Sequence, residues 1–210
     1  MTILCVAPRY NTDKPDATGA FQPEARAFAA LHGAAAPVLY DNRATKPARR
    51  RAVLGAIAAV HPDVLAIFGH GWETGIQCGF GLAQVGDLAG ALAGAARAPR
   101  VILYGCLTAE GTGPGGDGGF ADALRDALCA AGAAWAQVDA HVTAGHCCRN
   151  PYVRRFEGAG VPTGGLGGAY LVTPGAALWK PWVAALKGDL RFRFPFLSAV
   201  AIHCELGGAA

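Results

Sequence analysis

The feature that most constrains this fold is a pair of unbroken apolar runs, "VLAIF" at 64–68 and "VILY" at 101–104, each stopping at a glycine. A strand with one wet face alternates apolar and polar residues. A run without alternation marks a strand covered on both faces, as in a central parallel sheet. Parallel neighbours need long crossovers, and the alanine-rich segments between the apolar runs have the length and period of helices. Strands are expected at residues 2–7, 37–40, 64–68, 101–104, 135–138 and 169–172, with a further one at 200–204. Helices are expected at 24–31, 46–60, 88–96, 120–131 and 174–186. Thr45, Asp87 and the pair Thr173-Pro174 are the helix-start signals. The pattern predicts an α/β fold, a three-layer α-β-α sandwich around a mainly parallel sheet, in one domain spanning 1–210. The core runs roughly over 1–146, and 147–210 extends it at the carboxyl end.

With 210 residues, 52% of them hydrophobic and 16% charged, the chain can bury a sizeable core and does not have the composition of a disordered one. A net charge of +3 gives no case for a nucleic-acid partner, and Arg49-Arg50-Arg51 reads as the solvated face of a helix. No apolar run reaches the roughly 18 residues of a membrane span. The opening "MTILCVAPRY" has the character of a first strand and lacks the basic start and cleavage site of a signal peptide. Seven cysteines, an odd number scattered in or beside expected helices and strands, imply free thiols in a reducing cytoplasm.

Three glycine-rich loops, 69–86, 105–119 and 139–149, each follow an expected strand, so all three fall on the carboxyl edge, where open parallel sheets bind ligands. "FGHG" places His70 just past the third strand and "YGC" places Cys106 just past the fourth. If those strands are neighbours, the two residues leave the sheet about 4.8 Å apart. A Cys–His pair supplies a thiolate nucleophile and an acid for the leaving group. Gly71 lets the backbone turn an N–H toward a developing oxyanion, and Gly105 keeps the approach to the thiol open. Taken singly, such a cysteine reads as a small core hydrophobe and such a histidine as a turn residue. Their joint placement at consecutive strand ends favours chemistry.

The His-Gly after one apolar strand and the small residue-Cys after the next, in that order, resemble the caspase-like cysteine peptidases. The segment "YGCLTAEGTGPGGDGGFADALRDALCAAGA" is similar in pattern to CHAT-type domains, with a Cys-x-Thr turn, a glycine-rich loop and an amphipathic helix ending in Ala-Gly-Ala. The resemblance covers roughly residues 2–146 and implies a caspase-like central sheet. It also implies a cysteine endopeptidase acting through a thioester acyl-enzyme, with Cys106 as nucleophile and His70 as general acid–base residue. The oxyanion would rest on the N–H groups of Gly71 and Cys106. Gly105 stands where relatives carry alanine, and Tyr104 where many carry an acidic or amide residue in the specificity pocket. That argues against a basic-residue preference. Arg9, just past the first strand, reads first as a surface arginine; facing the pocket, it would favour an acidic substrate residue, and Asp139 and His141 are further candidates for the pocket wall. The expected partner is a protein or peptide substrate, with a regulatory protein as a second. No cofactor is called for; some relatives need calcium, and no EF-hand-like loop appears.

His141, His146, Cys147 and Cys148 cluster in "DAHVTAGHCCRN", but adjacent cysteines do not suit one tetrahedral ion and no metal-ligand spacing occurs, so no metal is expected. The glycine strings match neither a phosphate loop nor a dinucleotide fingerprint, and no serine-hydrolase elbow is present. Residues 112–119 are expected to form a flexible flap, with Asp117 as a self-cleavage point. His32, His61, His203, Cys5, Cys129 and Cys204 read as structural. Two alternatives stand beside the peptidase: a catalytically silent scaffold of the same fold that binds a partner, and a flavodoxin-like domain holding a small ligand in the same crevice.

Overall fold

The computed structural model describes residues 1–10, 21–146, 149–158 and 167–188. The expected strand at 200–204 and residues Cys147, Cys148, His203 and Cys204 lie outside them. The architecture is α/β. A seven-stranded sheet has the order β2-β1-β3-β6-β7-β8-β9, in which β1 (Ile3–Pro8), β2 (Val38–Tyr40), β3 (Val64–Phe68), β6 (Arg100–Tyr104) and β7 (Gln137–His141) are parallel. Two antiparallel strands, β8 (Val153–Glu157) and β9 (Ala169–Tyr170), extend the same sheet. The hairpin β4 (Gly71–Trp72) and β5 (Gly75–Ile76) stands outside it.

Every residue of β3 is buried, as the unbroken apolar run requires. Its side chains alternate between two cores. Leu65 and Ile67, with Val101, Leu103 and Val138, pack under α2 (Lys46–Val60), α3 (Val85–Ala95) and α4 (Phe120–Ala130). Val64, Ala66 and Phe68, with Ile102 and Tyr104, meet Phe21, Ala25 and Phe28 of α1 (Phe21–Leu31) on the other face. Each large apolar side chain enclosed this way contributes on the order of 2 kcal/mol. A third, smaller cluster joins Val172 to Trp182 and Leu186 of α5 (Trp179–Gly188), and Trp182 Nε1 donates to the Pro151 carbonyl at 3.1 Å.

Thr45 caps α2 by accepting from Ala48 N–H at 3.4 Å, and the helix stops at His61, left-handed at φ 48°, before Pro62. Asp87 does not cap α3; it lies in the first turn, where its charge still suits the helix dipole. The Thr173-Pro174 signal opens a turn closed by Ala176 N–H on the Thr173 carbonyl, and α5 begins only at Trp179. The fifth strand is shifted two residues along from expectation. Ala136 N–H closes a turn on the Ala133 carbonyl, leaving Trp135 exposed and starting β7 at Gln137. The loop at 69–86 is not structureless, since it folds into the β4–β5 hairpin and a 3-10 turn at Leu82–Gln84.

Residues 112–119 correct the expected flap. Gly113 N–H bonds the Asp117 carbonyl, Gly118 N–H bonds Asp122 Oδ2 at 3.0 Å, and Gly168 N–H bonds the Gly115 carbonyl at 2.8 Å. Glycine is needed here because the turns press backbone on backbone: a Cβ at Gly119 would strike the Glu110 carbonyl. This is a packed knot of turns.

Candidate active site

The β3–β6 ladder pairs Phe68 with Tyr104. His70 and Cys106 each lie two residues beyond that pair, and Arg9 directly follows β1, the other neighbour of β3. The two strand ends are drawn together by glycine. A Cβ on Gly71 would lie 2.6 Å from the Cys106 carbonyl oxygen and 2.6 Å from Thr108 Cγ2; one on Gly105 would lie 3.2 Å from the Gly71 α-carbon. Any larger residue at Gly71 would push the two ends apart.

The turn that presents Cys106 is strained and tied down. Leu107 has φ 62°, a left-handed conformation uncommon for a branched residue and costing about 1–2 kcal/mol. It is held by the buried Thr108, whose hydroxyl donates to the Gly105 carbonyl at 3.0 Å, and by Ala109 N–H on the His141 carbonyl at 2.9 Å. Among the described residues no acceptor takes the Cys106 N–H. The sequence gives no warning of the strain at Leu107; the only signal for the turn is the Cys-x-Thr spacing.

His70 is fixed through its backbone. Gln77 accepts from His70 N–H with its side-chain oxygen at 3.2 Å and donates its own N–H to the His70 carbonyl at 2.8 Å. The Tyr40 hydroxyl donates to the same Gln77 oxygen at 3.3 Å. The Gln77-to-His70 bond makes Gly71 and Ile76 a non-hydrogen-bonded pair of the hairpin, so Gly71 N–H points out of the β4–β5 ladder. On the ring itself, Phe21 packs edge-on with centroids 4.9 Å apart. Helix α1 starts at Phe21, three residues before the expected start, and that extra turn supplies this contact.

A loop at 142–146 closes over the thiol. Cys106 Sγ donates to the Gly145 carbonyl at 3.6 Å, which is its hydrogen bond among the described residues. The loop is stapled by buried Asn150, whose amide donates to the Thr143 carbonyl at 2.8 Å and whose oxygen accepts from Tyr152 N–H at 3.1 Å. His146 at the loop's end lies 3.8 Å from the Glu24 carboxylate of α1. Asn150 and Glu24 were not legible as site residues, since nothing in their local sequence sets them apart.

The remaining candidates divide. Arg9 is exposed just past β1, its N–H bonded to the Tyr40 carbonyl. Tyr104 and His141 are buried together, rings edge-on at 5.9 Å. Burial, aided by the charge of His146, lowers His141 to about 4, so it is neutral at pH 7, and its Nδ1 has no hydrogen-bond partner among the described residues. Asp139 lies inside β7, not in a loop, and both its oxygens are taken by Arg155 at 2.8 and 2.9 Å, a pair that locks β7 to β8. Of the thiols, burial pushes Cys5 and Cys78 up to about 12, whereas Cys106 is partly exposed. Among the described residues no three potential ligands gather as a metal site, and no helix is long and apolar enough to cross a membrane.

Comparison of the chain with protein-family models, with curated proteins and with solved structures finds no match in any of the three. The fold and site by themselves define an α/β domain that carries a histidine and a partly exposed cysteine on adjacent strand ends.

Proposed function

We propose that the chain is a cysteine endopeptidase of caspase-like type. The observation that carries this reading is the placement of His70 and Cys106 at matching positions beyond β3 and β6. The backbone N–H groups of Gly71 and Cys106 beside them are not consumed by the ladders. In the mechanism that fits, His70 takes the thiol proton as Cys106 Sγ attacks the peptide carbonyl. The oxyanion rests on the two N–H groups, His70 returns the proton to the leaving amine, and water hydrolyses the thioester. Entry of substrate requires the thiol to leave the Gly145 carbonyl, so the 142–146 loop gates the nucleophile. Exposed Arg9, just past β1, gives the site a preference for an acidic residue on the acyl side.

The thiol's bond to Gly145 also favours a second reading, a catalytically silent scaffold of the same fold whose cysteine is held by its own loop. Incubation with a complex peptide library, read by mass spectrometry for new termini, separates the two. The peptidase gives a defined cleavage pattern that disappears in both Cys106→Ala and His70→Ala; a scaffold gives none in any form.

A further inference from the structure

Beside the hairpin that follows His70 lies a cavity of about 330 Å³, between the first turn of α2 and β4–β5. Such a volume falls at the small end of ligand sites. Its wall holds two cations, Lys46 and Arg49, and no acid. The nearest acid in sequence, Glu73, sits at the hairpin tip and is not part of the lining. Neither cation has a carboxylate partner among the described residues. Arg49 gives one N–H to the Gln77 carbonyl at 2.5 Å, while its Nε is buried with no hydrogen-bond partner. Two neutral donors complete the wall. Gln84 spends its oxygen on Gly81 N–H at 3.2 Å and so presents its amide N–H groups, and Thr74 adds a hydroxyl. Trp72, 52% exposed, offers an aromatic surface at the rim.

The cavity is built by the fold. Gly79, at φ 103°, packs so close that a Cβ there would lie 2.6 Å from the Lys46 carbonyl, and Arg50 fastens the same loop by donating to the Gly79 carbonyl at 2.9 Å. Two unpaired positive charges and several free donors around a concave site leave an uncompensated positive potential, and an oxyanion is the group that satisfies it. The dipole of α2 adds to the same sign.

We propose that this cavity binds a ligand bearing a carboxylate or phosphate group, held by Lys46 and Arg49, with Trp72 covering its flat or apolar part. The site is separate from the Cys106 chemistry and does not depend on the peptidase reading. It touches that centre through Gln77, which lines the cavity and also holds His70 at both its N–H and its carbonyl, and through Ile76, the hairpin partner of Gly71.

The test is an amide NMR titration of the full chain at low salt with two probes, inorganic pyrophosphate and a tri-glutamate peptide. At least one probe gives saturable shifts centred on Gly75, Gly79 and Gly81. Lys46→Glu weakens that binding about ten-fold or more, and added salt weakens it further. Arg97→Glu, at an exposed position in the loop before β6 and outside the lining, leaves it unchanged. Tighter binding of pyrophosphate assigns a phosphate ligand; tighter binding of the peptide assigns an acidic polypeptide segment. Shifts scattered over the basic surface and insensitive to Lys46→Glu, or no saturation with either probe, overturn the proposal. Because no step reads proteolysis, failure of the peptidase reading leaves this result intact.

Discussion

His70 and Cys106 each lie two residues beyond the Phe68–Tyr104 pair that ends the β3–β6 ladder, and the bare α-carbon of Gly71 packs against the Cys106 carbonyl. Gly71→Ala therefore inserts a methyl where 2.6 Å is available to backbone that cannot yield. The expected outcome is a loss of about 1–3 kcal/mol in urea unfolding, as for other overpacked sites, together with a fall in Cys106 reactivity. Gly55→Ala, where a Cβ would meet nothing within 4 Å, is the control and leaves both unchanged or stabilises α2.

Leu107 carries the strain of the turn after Cys106 at φ 62°. Leu107→Gly relieves it, and equilibrium unfolding should show a gain of up to about 1 kcal/mol from that relief. The same variant loosens Cys106, so thiol reactivity moves in the opposite direction from stability. A gain in both would mean that the strain does not hold Cys106 in place.

Asp139 tests the division between site and scaffold. With both its oxygens on Arg155 inside the sheet, Asp139→Ala leaves a half-buried guanidinium to the exposed Glu157 carboxylate 3.9 Å away and should cost about 1–3 kcal/mol. Under conditions where the variant remains folded, its Cys106 reactivity matches wild type. A selective loss of reactivity would return Asp139 to the site.

His141 sets a pH dependence. Its folded value of about 4 lies below the ordinary 6.5, so the native state prefers the neutral ring. That preference is fully present above pH 6.5 and is lost as the pH falls from about 6.5 to about 4, worth at most roughly 3 kcal/mol. Stability measured against pH should fall across that window, and His141→Gln should flatten the fall. An identical slope in the variant would place the titration elsewhere.

The parts of the fold legible in the sequence are those decided by local pattern. "VLAIF" became β3 at the residues expected because a fully buried strand admits no polar member, and α2 ran from Lys46 to Val60 because Thr45, Pro47 and Pro62 bracket it. Strand β8, "VRRFE", was missed for the converse reason. Its two arginines break the apolar pattern of a strand, yet Arg155 is paired across the sheet with Asp139, and Arg154 lies over the Tyr170 ring with 4.7 Å to the centroid. Those partners are distant in sequence, so the pattern carries no trace of them. The site divides the same way. His70 and Cys106 sit at strand ends and could be placed, whereas Phe21, Asn150 and Gln77 reach the site through tertiary packing alone.

The central claim is that His70 activates Cys106. Its most direct test is the second-order rate of iodoacetamide alkylation at neutral pH, resolved cysteine by cysteine by mass spectrometry, in wild type and in His70→Gln. The account predicts that Cys106 is modified well ahead of Cys5, Cys78 and Cys129, and that its rate falls by about ten-fold or more when His70 is replaced. An unchanged Cys106 rate in His70→Gln would contradict it, leaving the two residues as neighbouring strand ends without shared chemistry.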